Sequence, residues 1–144
     1  MKKTIAIILA LVMSLSLVGV IGVSAAEVYD GTSVSASLAG AGTEADPYLI
    51  ANGADLAYFA ANAVAGASYK LTADIVWATA PTATNWTPVV DFSGTFDGNG
   101  YAIKNLYINV SSSSKVYEGL FGYSKGVIKN LGVANSIVSV SSSS

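Results

Sequence analysis

The sequence predicts an all-β chain, a right-handed parallel β-helix with a short N-terminal capping α-helix and an incomplete last coil. Three observations predict it. First, Gly94, Phe96, Ile103, Asn105 and Leu106 recur without a gap as Gly119, Phe121, Ile128, Asn130 and Leu131, at an offset of 119 − 94 = 25. Self-similarity at such a period marks a solenoid whose stacked units bury one another's apolar faces. Second, apolar residues alternate with polar ones at Phe92, Gly94 and Phe96, the period of a half-buried strand. Third, this alternation is cut at intervals by Gly and Asn, which turn the chain. Short strands joined by corners are what a parallel β-helix needs.

The corners follow from the pattern itself. Asp97-Gly98-Asn99-Gly100 is a tight turn signal. Continued in phase from Ile103, the alternation would bury Asn105 and expose Leu106 and Ile108. A corner at Lys104-Asn105 lets Ile103, Leu106 and Ile108 all face inward, and Asn tolerates the left-handed backbone that a sharp corner demands. Asn130 is expected at the same corner one repeat along, with the two amides hydrogen-bonded in file.

Residues 1–26 read as a signal peptide. Lys2 and Lys3 precede the apolar run from Ile5 to Leu17, and Val23-Ser24-Ala25 offers small residues for cleavage. The stretch is also long enough to span a bilayer, but Glu27 and Asp30 beyond it favour cleavage, so no membrane insertion is expected afterwards. Residues 27–42, rich in Ser, Ala and Gly, read as a linker or a loosely held first strand. Residues 43–66 form a lead-in and the capping helix. Asn52 suits the N-cap and Asp55 the first turn, and Leu56, Phe59, Ala60, Ala63 and Val64 share one face as far as Gly66. That helix, from about Gly53 to Ala65, is expected to cover the open N-terminal end of the coils.

Residues 67–144 are assigned to coils with the 25-residue repeat. Tyr69, Leu71, Ala73 and Ile75 mark one strand from Tyr69 to Val76, followed by a loop from Ala78 to Asn85 and then Trp86-Thr-Pro-Val-Val. Ser111 to Ser114 reads as a bulge, and Ile137-Val-Ser-Val as a further strand. The next repeat would open at Ser144, so the last coil is expected to be open. That favours the front of a longer protein, or a partner or end-to-end self-association at that edge.

The motifs Phe92-Ser-Gly-Thr-Phe-Asp-Gly-Asn-Gly, Ile103-Lys-Asn-Leu, Gly119-Leu-Phe-Gly-Tyr and Ile128-Lys-Asn-Leu-Gly-Val resemble the GLUG-motif repeats of secreted bacterial surface proteins. The resemblance runs from about Gly40 to Val133. It implies a pectate-lyase-like β-helix of the sort carried by adhesin-like proteins and some immunoglobulin A peptidases.

Chemistry is excluded more readily than assigned. With no His and no Cys, the chain offers neither Ser-His-Asp nor Cys-His catalysis nor the usual zinc ligands. Neither a cofactor nor a metal is expected. Without Lys2 and Lys3, five Lys, no Arg and nine acids give 5 − 9 = −4, which argues against nucleic acid and anionic membranes as partners. Asp74, Asp91 and Asp97 are the carboxylates that polysaccharide cleavage would need, and their simpler reading is as turn and solubilising residues. Asp97-Gly98-Asn99-Gly100 carries too few ligands for a calcium loop. Lys104 and Lys129 are expected at one repeated spot, near Lys125, as solvated corner residues. Phe96 and Phe121 are expected to stack inside the coils. Tyr101, Tyr107 and Tyr123 are the candidates for ligand contact, with Tyr117, Trp77 and Trp86 as further flat faces for sugars, although large rings also fill β-helix interiors and cover their ends.

These features together suggest a secreted or cell-wall scaffold that adheres to carbohydrate or a host surface protein. Two rivals place catalysis beyond Ser144, in a polysaccharide-acting enzyme or a surface peptidase.

Overall fold

Corners spaced this closely leave room for strands of only two to five residues. The computed structural model describes residues 27–79, 85–111 and 117–141. The signal segment, most of the loop before Asn85 and the bulge after Ser111 lie outside the described residues. Within them the order is β1 (Val28–Tyr29), β2 (Tyr48–Ile50), α1 (Gly53–Asn62), β3 (Ser68–Leu71), β4 (Ile75–Trp77), β5 (Thr95–Asp97), β6 (Ala102–Lys104), β7 (Tyr107–Ser111), β8 (Val127–Lys129), β9 (Gly132–Ala134) and β10 (Ile137–Ser141).

The chain is mostly β, and its three sheets are parallel throughout. Their orders are β1-β4-β6-β9, β2-β3-β5-β8 and β7-β10. From β5 the chain passes to β6 and β7, and from β8 to β9 and β10, visiting the three sheets in the same order each time. A fourth side is marked by parallel bridges from Val89 to Phe121 and from Phe92 to Ser124. The Trp86 N–H donates to the Tyr107 carbonyl at 2.8 Å, which lays the segment before Val89 alongside β7.

The register corrects the sequence reading. Phe96 faces Ile128 and Ile103 faces Val133, offsets of 128 − 96 = 32 and 133 − 103 = 30 rather than 25. Ile103-Lys-Asn-Leu turns the chain from β6 to β7, whereas Ile128-Lys-Asn-Leu turns it from β8 to β9. The motif therefore belongs to the corner between successive strands rather than to a fixed period. Asn105 and Asn130 both hold left-handed backbone, with φ of 61° and 54°, but Asn135, at 52°, is the true counterpart of Asn105. The expected file of amides is absent: Asn105 Nδ2 donates to the Trp77 carbonyl, and Asn130 Nδ2 to Asp97 Oδ1. Phe121 lies beside Val89, and Gly94 beside Gly126 rather than Gly119, with the Val127 N–H donating to the Gly94 carbonyl. The ladders differ by two residues because Gly98 to Tyr101 separate β5 from β6, while only Asn130 and Leu131 separate β8 from β9.

Other expectations hold. Asp97-Gly98-Asn99-Gly100 opens a tight turn in which the Tyr101 N–H donates to the Gly98 carbonyl, with Asn99 at φ 52° and Gly100 at 83°. Those two positive angles are what a type I′ Asn-Gly turn requires. Ile103, Leu106 and Ile108 are all buried across the Asn105 corner. The single strand expected from Tyr69 to Val76 is instead two, β3 and β4, because the chain turns at Thr72 to Asp74 and carries Ile75 and Trp77 into a different sheet.

The helix forms where Asn52 caps it: its side chain accepts from the Asp55 N–H at 2.9 Å, and Asp55 Oδ2 accepts from the Ala51 N–H at 3.0 Å. This reciprocal pairing satisfies donors that a helix start leaves without partners. It ends at Asn62, short of Ala65, and buries Gly53, Leu56 and Phe59, while Val64 is exposed. Phe59 contacts the rings of Tyr69, Phe92, Phe96 and Phe121. Phe96 and Phe121 meet edge-on rather than stacked, at 5.5 Å and 78°. Residues 27–42 include β1, and Tyr29 and Ser35 among them touch this layer. Tyr29 is buried with its ring edge on Trp77, and Ser35 Oγ donates to Asp55 Oδ1.

Two variants test this construction. Phe59→Ala removes the ring that joins cap to coils and is expected to cost about 3–5 kcal/mol in urea unfolding. Asn105→Leu is expected to lose about 1–2 kcal/mol from the left-handed backbone alone, with a further loss from the missing amide bond. Asn105→Gly should recover the backbone part, and equal stabilities for the Leu and Gly variants would refute the corner's role.

Candidate functional site

Tyr101, Tyr107 and Tyr123 fall on different sides of the fold. Tyr101 closes the turn before β6 and Tyr107 opens β7, while Tyr123 lies beside Phe92, whose N–H donates to its carbonyl. The structure therefore does not assemble the three into one site. The Tyr107 hydroxyl accepts from Asn109 Nδ2 at 3.1 Å. Tyr123 instead pairs with Tyr117, ring centroids 6.3 Å apart, and both rings are exposed. Lys125 Nζ stands 5.4 Å from the centroid of the Tyr123 ring, a cation–π contact. Gly122 keeps this side flat, since a Cβ there would meet the Tyr117 carbonyl at 2.8 Å and Pro88 Cβ at 3.3 Å.

Trp77 and Trp86 are not surface platforms. Only 2% and 3% exposed, they meet edge-on at 5.4 Å and 87°. Both follow the alternative of interior filling, and β4 turns Trp77 inward beside Ile75. The Trp86 indole N–H donates to the Leu120 carbonyl at 3.1 Å, which satisfies its one polar atom.

The charged candidates form two separate constructions. Asp74 receives the Lys104 ammonium at 2.6 Å and the Ala102 N–H at 2.9 Å, which braces the approach to β6. Asp97 receives Asn130 Nδ2 at 3.0 Å and the Asn99 N–H at 2.8 Å, with Lys129 Nζ at 3.6 Å. Lys104 and Lys129 thus belong to different sheets and do not share the one repeated spot. Asp91 is exposed with a left-handed φ of 54°, a turn position. Among the described residues no group of three or more acids, His or Cys is placed to hold a metal ion.

Sequence reasoning missed Lys70. In the β2-β3-β5-β8 sheet, Lys70 faces Asp97 and Asp97 faces Lys129, so charge alternates along an outward column. The available signal was Tyr69-Lys70 beside Ile128-Lys129, each an inward residue followed by Lys.

Both paired carboxylates titrate below the ordinary range. Asp74 is lowered by the Lys104 hydrogen bond and then the Ala102 N–H, and Asp97 by the Asn130 amide and then the Asn99 N–H. No helix of the described residues is long and apolar enough to cross a membrane.

The chain is similar to Halomucin from Haloquadratum walsbyi, 38% identical over 118 residues, covering 76% of this chain and 1% of that protein. It is also similar to a putative Gly-rich membrane protein from Evansella cellulosilytica, 32% identical over 109 residues, covering 70% of this chain and 12% of that protein. It thus spans a small part of either relative's length. No protein-family model matches the chain, and no solved structure matches it.

The carboxylates give a pH prediction. A carboxylate whose folded pKa lies below its unfolded value stabilises the fold above that unfolded value, about 3.9, and the gain is lost as pH falls through the folded one. Melting temperature should therefore hold from neutral pH to about pH 5 and fall below about pH 4. In the double variant Asp74→Asn, Asp97→Asn the neutral plateau should drop and the acid fall shrink, as scanning calorimetry across pH would show.

Proposed function

We propose that this chain is a right-handed parallel β-helix module of the GLUG-repeat type, borne on an exported bacterial surface protein as a structural and adhesive scaffold. The observation that carries this reading is the rotation of the chain through three parallel sheets in fixed order. Parallel crossovers of this kind are right-handed in nearly every case, and the inward columns are apolar, as a stacked coil requires.

A scaffold role is supported by what the polar residues do. Asp74, Asp97, Lys104, Asn105 and Asn130 all spend their hydrogen bonds on neighbouring strands and corners. The reading of residues 1–26 as an export signal, with Lys2 and Lys3 ahead of an apolar run, supports a secreted or cell-wall location. Adhesion would fall to the Tyr117 and Tyr123 pair, whose exposed rings suit the flat face of a sugar.

Two measurements test this. The native product should be found in the medium or cell-wall fraction, with an N-terminus near Glu27; a product retained in the cytoplasm would overturn the location. Against a panel of polysaccharides, saturable binding without new reducing ends or unsaturated products is expected, weakened by Tyr123→Ala with folding intact. Product formation would transfer the module to the polysaccharide-acting enzymes.

A further inference from the structure

The inward column that runs through Phe96 begins with Tyr48 of β2, paired in register with Tyr69 of β3. Phe59 of α1 packs on the Tyr69 ring at 4.5 Å and leaves it 2% exposed, whereas Tyr48 at the head of the column stays half-buried. Beside Tyr48 lies a cleft of about 270 Å³, bordered also by Tyr58 and Asn62 of α1, by Val64 just beyond the helix, and by Ser37. No residue of β8, β9 or β10 lines it, and none that adjoins a stretch outside those described. Residues 37–69 bound the space, and they are described without a gap.

The lining is polar but carries no charge. Asn62 Nδ2 donates to the Tyr58 carbonyl at 3.0 Å, which fixes the amide and leaves Oδ1 without a partner among the described residues. The Tyr69 hydroxyl accepts the Val64 N–H at 2.8 Å, yet its own proton meets no acceptor among the described residues, although the side chain is buried. Burial pushes the Tyr69 phenol up, so it keeps that proton and remains a donor. Asp74, Asp97, Asn105 and Asn130 spend their bonds on neighbouring strands and corners; a buried donor left unspent is costly and calls for an acceptor.

Size and chemistry together narrow what fits. Sites for drug-sized molecules run from about 300 to 1,000 Å³, so this one admits a single ring. The Tyr48 ring is held in place by Tyr69, at 5.4 Å and 38°, and by Gly42, where a Cβ would run into it. Tyr48 and Tyr58 offer aromatic surface to an apolar ring face. A hydroxyl both donates and accepts, which answers Asn62 Oδ1 and the Tyr69 proton alike. An ionised ligand would lose its hydration here and gain no counter-charge from the lining.

We propose that this cleft binds one neutral pyranose ring, its C–H face against Tyr48 and Tyr58 and its hydroxyls bonded to Asn62 Oδ1 and the Tyr69 hydroxyl. The site is separate from the exposed Tyr117 and Tyr123 pair and does not depend on it.

The experiment titrates the isotope-labelled native product with methyl glucoside, methyl galactoside, methyl mannoside and N-acetylglucosamine, and with glucuronate, and follows amide shifts by NMR. Saturable shifts of the Val64 N–H and the Asn62 side-chain amide are expected with at least one neutral sugar, and glucuronate should bind about tenfold more weakly or less. Asn62→Ala, at the exposed end of α1, should weaken binding about tenfold with folding intact. Tyr69→Phe should weaken it as well, but it also frees the Val64 N–H, so Asn62→Ala is the deciding variant. Tyr123→Ala should leave these shifts unchanged. The proposal is overturned by no shift with any of the four neutral sugars, by equal affinity for glucuronate, or by equal binding in Asn62→Ala. Shifts confined to Tyr117 to Lys125 overturn it too, and would give the sugar to that other surface.

Discussion

From β5 onwards each paired strand bonds in parallel to one about thirty residues earlier, so the chain must bring its backbone back to the same edge within that length. That demand governs the rest of the structure. A chain can meet it only by turning sharply several times, and L-residues with a Cβ resist the backbone that sharp turns require. Asn answers this at positions 99, 105, 130 and 135, all with φ between 52° and 61°. Its side chain also supplies a donor at the corner, as Asn105 does for the Trp77 carbonyl and Asn130 for Asp97. Corner geometry and axial cohesion are thus provided by the same residues.

Inside, aromatic rings carry the packing. Phe59 from the helix meets Tyr69, Phe92, Phe96 and Phe121, rings drawn from three successive layers. Without that ring, α1 and the strands would share far less buried apolar surface. The cap is itself tied down by Tyr29, whose ring lies where a side chain on Gly53 would have to go.

Much of this was legible in the sequence, and the failures share a cause. Alternation located the strands, and Asn52 with Asp55 located the helix, because those signals are local. The register was misread because Ile-Lys-Asn-Leu describes a corner, and a corner motif carries no label for which sheet it leaves. Trp77 and Trp86 could serve as flat faces or fill the interior, and which of the two each ring does depends on packing between segments distant in sequence. Lys70 escaped notice because its partner Asp97 is fixed by register, a long-range property. The exposed Tyr117 and Tyr123 pair was partly visible, since both tyrosines were counted as flat faces, but their proximity depends on how the chain passes Gly122.

Gly94 and Gly126 mark a place where paired stretches of backbone nearly touch. A Cβ on Gly94 would fall 2.2 Å from the Ala67 carbonyl oxygen, and one on Gly126 would fall 2.3 Å from that of Gly94. Any lengthening of such a protein by copying its own gene is therefore constrained in size. A duplicated block must match the spacing of paired strands, about thirty residues, so that a glycine arrives again where the backbones converge. A block of 25 residues, matched to the motif rather than the circuit, would deliver a different residue to that gap and turn its apolar column outwards.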